Sequence, residues 1–286
     1  LHAIGFDMER GRQDKSTHPF TTNFSINDVR VTTRLARDTF PSSLFSTLHE
    51  GGHALYEQNG DSALEGSMLA GGTSLGVHES QSRLWENVLG RSRPFWQYYY
   101  PRLQEFFPKQ LERVSLDEFY RAINRVEPSF IRVEADEVTY NMHIFLRFEL
   151  EQELLTGRLN VADLPAAWNA KMEAYLGLTP PNDAQGVLQD IHWSGGMMGY
   201  FPTYTLGNVL SLQFYSQALK ELPDLPEQFA RGEFGALLGW FREHIHRHGR
   251  KYTANELIRR VTGDDGIKAG PYLAYINQKF SEIYSL

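Results

Sequence analysis

The chain has 286 residues, 41% hydrophobic and 22% charged, an ordinary balance for a globular protein with a substantial core. Its formal net charge of −7, from 28 basic and 35 acidic side chains with no long basic run, argues against nucleic acid or an anionic membrane surface as a partner. No segment approaches the roughly 18 consecutive apolar residues of a membrane span, and the absence of cysteine excludes disulfides and thiolate ligands, which fits a reducing, cytoplasmic setting.

Pro41, Ser42 and Ser43 read as the start and cap of a helix carrying Leu44, Phe45, Leu48 and Leu55 and ending before Gly60. Inside it lies the run HEGGH. On a helix of 3.6 residues per turn, His49 and His53 share one face and can reach a single Zn²⁺, while Glu50 points in another direction. Gly51 and Gly52 each cost about 1 kcal/mol against Ala inside a helix, so a close neighbour is predicted at this turn. Such a zinc site needs a third protein ligand, and Glu79 in GVHESQSRLWENVL supplies a carboxylate on a following helix. The glycines at 60, 66, 71, 72 and 76 provide a connection able to bring the two helices together. Further on, Ser115 with Glu118 forms a capping-box pattern before LDEFYRAINRV, and SFIRVE is the best strand candidate. A helix is predicted from about Asp136 to Thr156, its apolar stripe stopped by Gly157; AAWNAKMEAYLG and the segment from Tyr200 to Leu222 read similarly. His244, His246 and His248 end the helical run FGALLGWFREHIHRHG, where cationic side chains would meet the negative end of the helix dipole. Thr253 with Glu256 repeats the capping box before NELIRRV, which stops at Gly263. The fold class is therefore mostly α with a small β-sheet, and a single domain over 1–286 is predicted.

Six short motifs occur in order: HPF at 18 to 20, DVRVT at 28 to 32, HEGGH at 49 to 53, HESQ at 78 to 81, IRVEAD at 131 to 136 and GVLQDIHW at 186 to 193. With these the chain resembles the thermostable, Taq-type metallocarboxypeptidase family. The resemblance implies a gluzincin-type zincin fold and a metal-dependent release of C-terminal residues from peptides. Family members carry a helical N-terminal segment before HPF that this sequence lacks, so a catalytic portion is expected, completed by a separate partner chain or by homodimer formation. The aromatic run Phe95, Trp96, Tyr98, Tyr99 and Tyr100 reads as core or interface and is the surface to watch for such an uncovered face.

His49, His53 and Glu79 are accordingly assigned to the metal, Zn²⁺ with Co²⁺ or Mn²⁺ as alternatives, and Glu50 to general base catalysis. His192 and Tyr204 are the candidate donors to the oxyanion, with Tyr200 beside them; core packing is the competing reading of both tyrosines. Arg30 and Arg132 are the candidates for holding a substrate carboxylate. Each has an acid that could neutralise it instead, Asp28 for Arg30 and Asp136 for Arg132. Asp190 and Gln189 read either as support for the site or as local caps. His78 precedes Glu79 and points off its face, which suits packing or support of the site better than metal binding. An endopeptidase or dipeptidase would share the metal chemistry, and a metal-binding fragment without activity is a reading of another class.

Overall fold

The computed structural model describes residues 1–35 and 39–286, which divide into two compact units: Leu1–Ile123 with Leu206–Leu286, and Asn124–Thr205.

The first unit opens with a three-stranded sheet, β1 (Gly11–Lys15), β2 (Thr21–Ser25) and β3 (Asp28–Thr33), in the order β1-β3-β2. β3 pairs parallel to β1 and antiparallel to β2. Its alternation explains its central place: Val29 and Val31 are buried while Arg30 between them faces out, the period-two pattern of a half-buried strand. The sheet packs on α1 (Phe40–Gln58). This helix starts with Pro41 in its first turn and without a side-chain cap, and the expected cap Ser43 instead donates its hydroxyl to the Arg34 carbonyl. α2 (Leu75–Arg83), capped by Ser74, continues as a π-helical turn over Leu84–Leu89. α3 (Arg93–Phe106), α4 (Pro108–Leu111) and α5 (Leu116–Ile123) follow, with the Ser115–Glu118 capping box in place.

The aromatic run of α3 is mainly core. Phe95, Trp96 and Tyr100 are buried, their rings tilted or edge-on against Phe119 and Phe234, and of the run only Tyr98 is appreciably exposed. The core reading of the run therefore holds, and the uncovered face is not found there.

The second unit holds α6 (Tyr140–Leu155) and α7 (Leu164–Leu176), which bury Leu146, Leu150, Trp168 and Met172. SFIRVE is not a strand; Arg132–Glu134 forms a single 3₁₀ turn. The reason lies far along the chain, at Gln189. Its Oε1 accepts from the Arg132 N–H at 2.8 Å and its Nε2 donates to the Phe130 carbonyl at 3.0 Å, so one side chain does what a neighbouring strand would have done.

α8 (Pro202–Glu221) includes the boundary between the units at Thr205 and Leu206. The remaining helices, α9 (Leu225–Phe229), α10 (Gly235–His244), α11 (Ala254–Thr262) and α12 (Gly270–Tyr284), belong to the first unit. The capping box of Thr253 and Glu256 and the left-handed Gly263 bound α11 as predicted. The histidines after α10 differ from expectation. His246 is fully buried and donates from Nε2 to Gln81 Oε1 at 2.9 Å, and burial, then the charges of Arg242 and His78, lowers its pKa to about 3. It is a neutral core residue, not a cation facing a helix dipole. Among the described residues no helix is long and apolar enough to cross a membrane.

Candidate metal centre

α1 projects His49 and His53 from successive turns toward Glu79 of α2. His49 Nε2 lies 3.8 Å from Glu79 Oε1, His53 Nε2 lies 3.5 Å from Glu79 Oε2, and one ligand atom of each residue lies within 4.8 Å of the others. Bonds of about 2.0–2.1 Å to a tetrahedral Zn²⁺ place its ligand atoms roughly 3.4 Å apart, so these separations are close to a zinc-sized set. Gly52 of the motif lets the two helices approach, while Gly51 makes room for Leu1 and Ile4. A Cβ on Gly52 would sit 2.7 Å from Ser82 Cα, and one on Gly51 2.8 Å from Leu1 Cδ2. On the far side of Glu79, a Cβ on Gly207 of α8 would lie 2.6 Å from Glu79 Cβ. The stem of Glu79 thus packs against Gly207, and the residue is almost wholly buried.

The supporting groups decide which nitrogens face the ion. His49 Nδ1 is 2.8 Å from Glu86 Oε2. A carboxylate can only accept, so Nδ1 carries a proton; burial lowers the His49 pKa, but Glu79 and Glu86, one at each ring nitrogen, outweigh it and raise it. Two imidazole nitrogens and a buried carboxylate converging at these distances, backed by a second carboxylate on His49, are a donor set that fits a divalent ion. Arg83 donates from Nε to Glu79 Oε1 at 2.8 Å and from Nη1 to Glu86 Oε2 at 3.2 Å. Burial pushes the Glu79 carboxyl up, but His49, Arg83 and His53 outweigh it and hold the group well below the usual carboxylate range. Glu86 is brought to about 2 in the same way, with Arg83 the strongest influence after burial. His78 lies between His53 and Glu57, 2.7 Å from His53 Nδ1 and 2.6 Å from Glu57 Oε1.

Glu50 is buried and turned from the histidine face. Its Oε2 accepts from the Thr21 hydroxyl at 2.8 Å, and the same hydroxyl lies 2.9 Å from the Glu50 carbonyl. One of its carboxylate oxygens is thus fixed, and among the described residues the other carries no such anchor, which suits a group that exchanges a proton.

A second polar cluster lies within Asn124–Thr205. Arg132 directs Nε and Nη2 to Asp190 Oδ1, at 3.1 and 2.7 Å, and Nη1 to the Tyr140 hydroxyl at 2.9 Å. Arg147 holds Asp190 Oδ2 at 2.7 Å through Nε. Asp190 is lowered to about 2: burial would raise it, and Arg147 and then Arg132 overcome that. His143, wholly buried, is lowered to about 3 by burial and by the same two guanidiniums. His192 Nε2 is 2.9 Å from the Tyr204 hydroxyl, the His192 ring packs 5.3 Å from Tyr200, and Arg132 lies 4.8 Å over the Tyr204 ring. The structure therefore brings Arg132, His192, Tyr200 and Tyr204 into one cluster. Asp136, the acid expected to neutralise Arg132, instead accepts from the Val138 and Thr139 N–H groups at the start of α6. Arg30 belongs to the outer face of β3, where its fork is closed on Asp28 through Nε and Nη2, both at 2.8 Å.

Sequence reasoning did not find Glu86, Arg83, Glu57 or Thr21. The first three carried a helical signal, since Glu57 is four residues after His53, Arg83 four after Glu79 and Glu86 seven after Glu79. Thr21 had none beyond its place after HPF.

Residues 1–280 match the family described as carboxypeptidase Taq (M32) metallopeptidase. Carboxypeptidase 1 of Bacillus subtilis (strain 168) is 45% identical over 286 residues, covering 100% of this chain and 57% of its own. Thermostable carboxypeptidase 1 of Thermus thermophilus is 50% identical over 284 residues, covering 99% and 55%. The crystal structure of an M32 carboxypeptidase from Deinococcus radiodurans R1 superposes with a TM-score of 0.97 at 52% identity, covering 100% of this chain and 57% of that one. The chain spans a little over half the length of these relatives. It belongs to the carboxypeptidase Taq (M32) metallopeptidase family.

Proposed function

We propose that this chain carries the hydrolytic centre of a metal-dependent carboxypeptidase that removes C-terminal residues from peptides. The observation that supports this most is the convergence of His49, His53 and Glu79 with Glu50 held beside them by Thr21. The names of the relatives point the same way.

His49, His53 and Glu79 would hold the divalent cation, zinc or in its place cobalt or manganese, which when bound would supply Lewis acidity and lower the pKa of water. Glu50 accepts the proton of the attacking water at the carboxylate oxygen not held by Thr21 and passes it to the departing amine nitrogen. One C–O bond forms, the peptide C–N bond breaks, and the products are a shortened peptide and a free amino acid. Arg83 and Glu86 keep Glu79 and His49 in place as charge develops. His192 and Tyr204 donate hydrogen bonds to the oxyanion, with Tyr200 packing on His192. For the substrate carboxylate we favour Arg132 over Arg30, because Arg132 and Arg147 share a single acid whereas Arg30 has Asp28 to itself.

The test is a set of three peptides given to the zinc-loaded chain. Release of a single amino acid from an N-blocked dipeptide, lost when its C-terminus is amidated, is the expected result. Cleavage of a peptide blocked at both ends would move the reading to an endopeptidase.

A further inference from the structure

His192 and Tyr200 stand at the two ends of one loop. Its first residues curl on themselves: the Met197 N–H donates to the His192 carbonyl at 2.8 Å, the Gly195 N–H to that of Ile191 at 2.9 Å and the Gly196 N–H to that of Trp193 at 3.0 Å. Gly196 and Gly199 take left-handed φ values of 75° and 79°, which glycine adopts without strain. All of these bonds are internal to the loop, so they shape it without fixing where it sits.

Glu151 of α6 does that. It is 4% exposed, and its two oxygens reach the two ends of the loop separately, Oε2 accepting from the Trp193 indole Nε1 at 2.8 Å and Oε1 from the Gly199 N–H at 2.5 Å. Both partners only donate, so both oxygens must accept. A carboxylate meets this demand, whereas an amide of the same size would turn its NH2 toward one of the two N–H groups. The two donors, and not the burial, therefore specify the residue, because burial alone disfavours a carboxylate. Trp193 directly follows His192, and Gly199 directly precedes Tyr200 and the start of α8, which carries Tyr204. The position of His192 relative to Tyr204, 2.9 Å from Nε2 to the hydroxyl, thus depends on both ends of the loop. The rings complete the mounting, Trp193 lying edge-on to Trp168 and Phe201 and His192 packing 4.4 Å from Phe201.

We propose that Glu151 is a positioning residue for the oxyanion donors: by clipping the loop at Trp193 and at Gly199, it holds His192 and Tyr204 at hydrogen-bond distance while touching neither them nor the substrate. The proposal rests on the reading of His192 and Tyr204 as those donors. Donors of this kind act through alignment, because their hydrogen bonds must meet the oxygen where its charge develops, so a clip that keeps two of them in register bears on turnover more than on substrate binding.

The experiment uses the full chain labelled with ¹⁵N-histidine, with His192 assigned by its loss in His192→Gln and the signal of a broken His192–Tyr204 bond supplied by Tyr204→Phe. In Glu151→Gln the Nε2 resonance of His192 is expected to move toward its position in Tyr204→Phe. Trp193→Phe, which removes one of the two donors and keeps an aromatic ring, should move it the same way by less, and it decides the matter if Glu151→Gln does not fold. Turnover of an N-blocked dipeptide by the zinc-loaded chain should fall by about 10²-fold in Glu151→Gln, the cost of displacing an aligned group by about 1 Å, with KM little changed. The same substitution made in Tyr204→Phe should cost much less, since the bond it disturbs is already gone. A role in packing alone would lower the melting temperature, leave the His192 resonance in place and cost the same factor in both backgrounds. An unmoved His192 resonance overturns the proposal, and so does an equal loss of turnover with and without the Tyr204 hydroxyl. A parent that cleaves no dipeptide, with the resonance moving as expected, would instead count against the hydrolytic reading and leave the clip standing.

Discussion

The cluster built on α1 and α2 sets two carboxylates, Glu79 and Glu86, on one guanidinium, Arg83, with the buried carboxylates of Glu50 and Glu57 on α1 bonded to neither. In the second unit the proportion is reversed: Arg132 and Arg147 share the one carboxylate of Asp190. Buried charge is costly unless it is matched, so the sign of the mismatch tells which ligand each cluster suits. The first has excess negative charge and two imidazole nitrogens converging on a carboxylate, a setting for a cation. The second has excess positive charge beside a histidine held neutral, a setting for an anion such as a peptide C-terminus.

The largest expected effect separates chemistry from binding within the first cluster. Glu50→Gln keeps the hydrogen bond from Thr21 and all three ligands, so it should retain metal while turnover falls by about 10²- to 10⁴-fold, the usual contribution of general acid–base catalysis. Turnover within tenfold of the parent would remove Glu50 from the mechanism.

Next comes the second cluster. Asp190→Ala leaves two buried guanidiniums facing each other, and urea denaturation should show a loss of about 3–5 kcal/mol. The pH dependence sharpens this. The folded-state pKa of Asp190, about 2, lies below its ordinary 3.8, so its stabilising contribution is fully present above about pH 4 and is lost as pH falls through about 2. The stability gap between parent and Asp190→Asn should therefore narrow over that window; a gap unchanged down to about pH 2 would mean that the ion pairs do not carry it. The smallest effect belongs to Arg30→Ala. The Arg30–Asp28 pair is exposed and screened by solvent, so stability should scarcely move. Substrate discrimination should not move either: if this variant loses its preference for a free C-terminus, the carboxylate is held at β3 and the comparison between clusters fails.

What could be read in advance follows the range of the interactions. His49 and His53 were legible as a pair because helical spacing alone puts them on one face, and the glycine pair announced close neighbours, which are the backbone of α2 at Gly52 and the side chains of Leu1 and Ile4 at Gly51. Capping boxes at Ser115 and Thr253 were legible for the same local reason. Failures came where a distant side chain overrode local propensity. SFIRVE has strand composition, yet Gln189 takes over its backbone hydrogen bonds; His246 has the spacing of a helix-end cation, yet Gln81 holds it in the core. The sheet was expected in the wrong place, although DVRVTT shows the alternation of a half-buried strand. Asp190 and Arg147 lie 43 residues apart in sequence, and no local spacing announces their pairing.

The central claim, that the excess of negative charge around His49 and His53 exists to hold a divalent ion, is tested most directly by elemental analysis of the purified chain after zinc loading and removal of free metal. One zinc per chain is predicted for the parent and for Glu50→Gln, and none for His53→Ala. A parent that retains no metal, or a His53→Ala protein that retains a full equivalent, would contradict it.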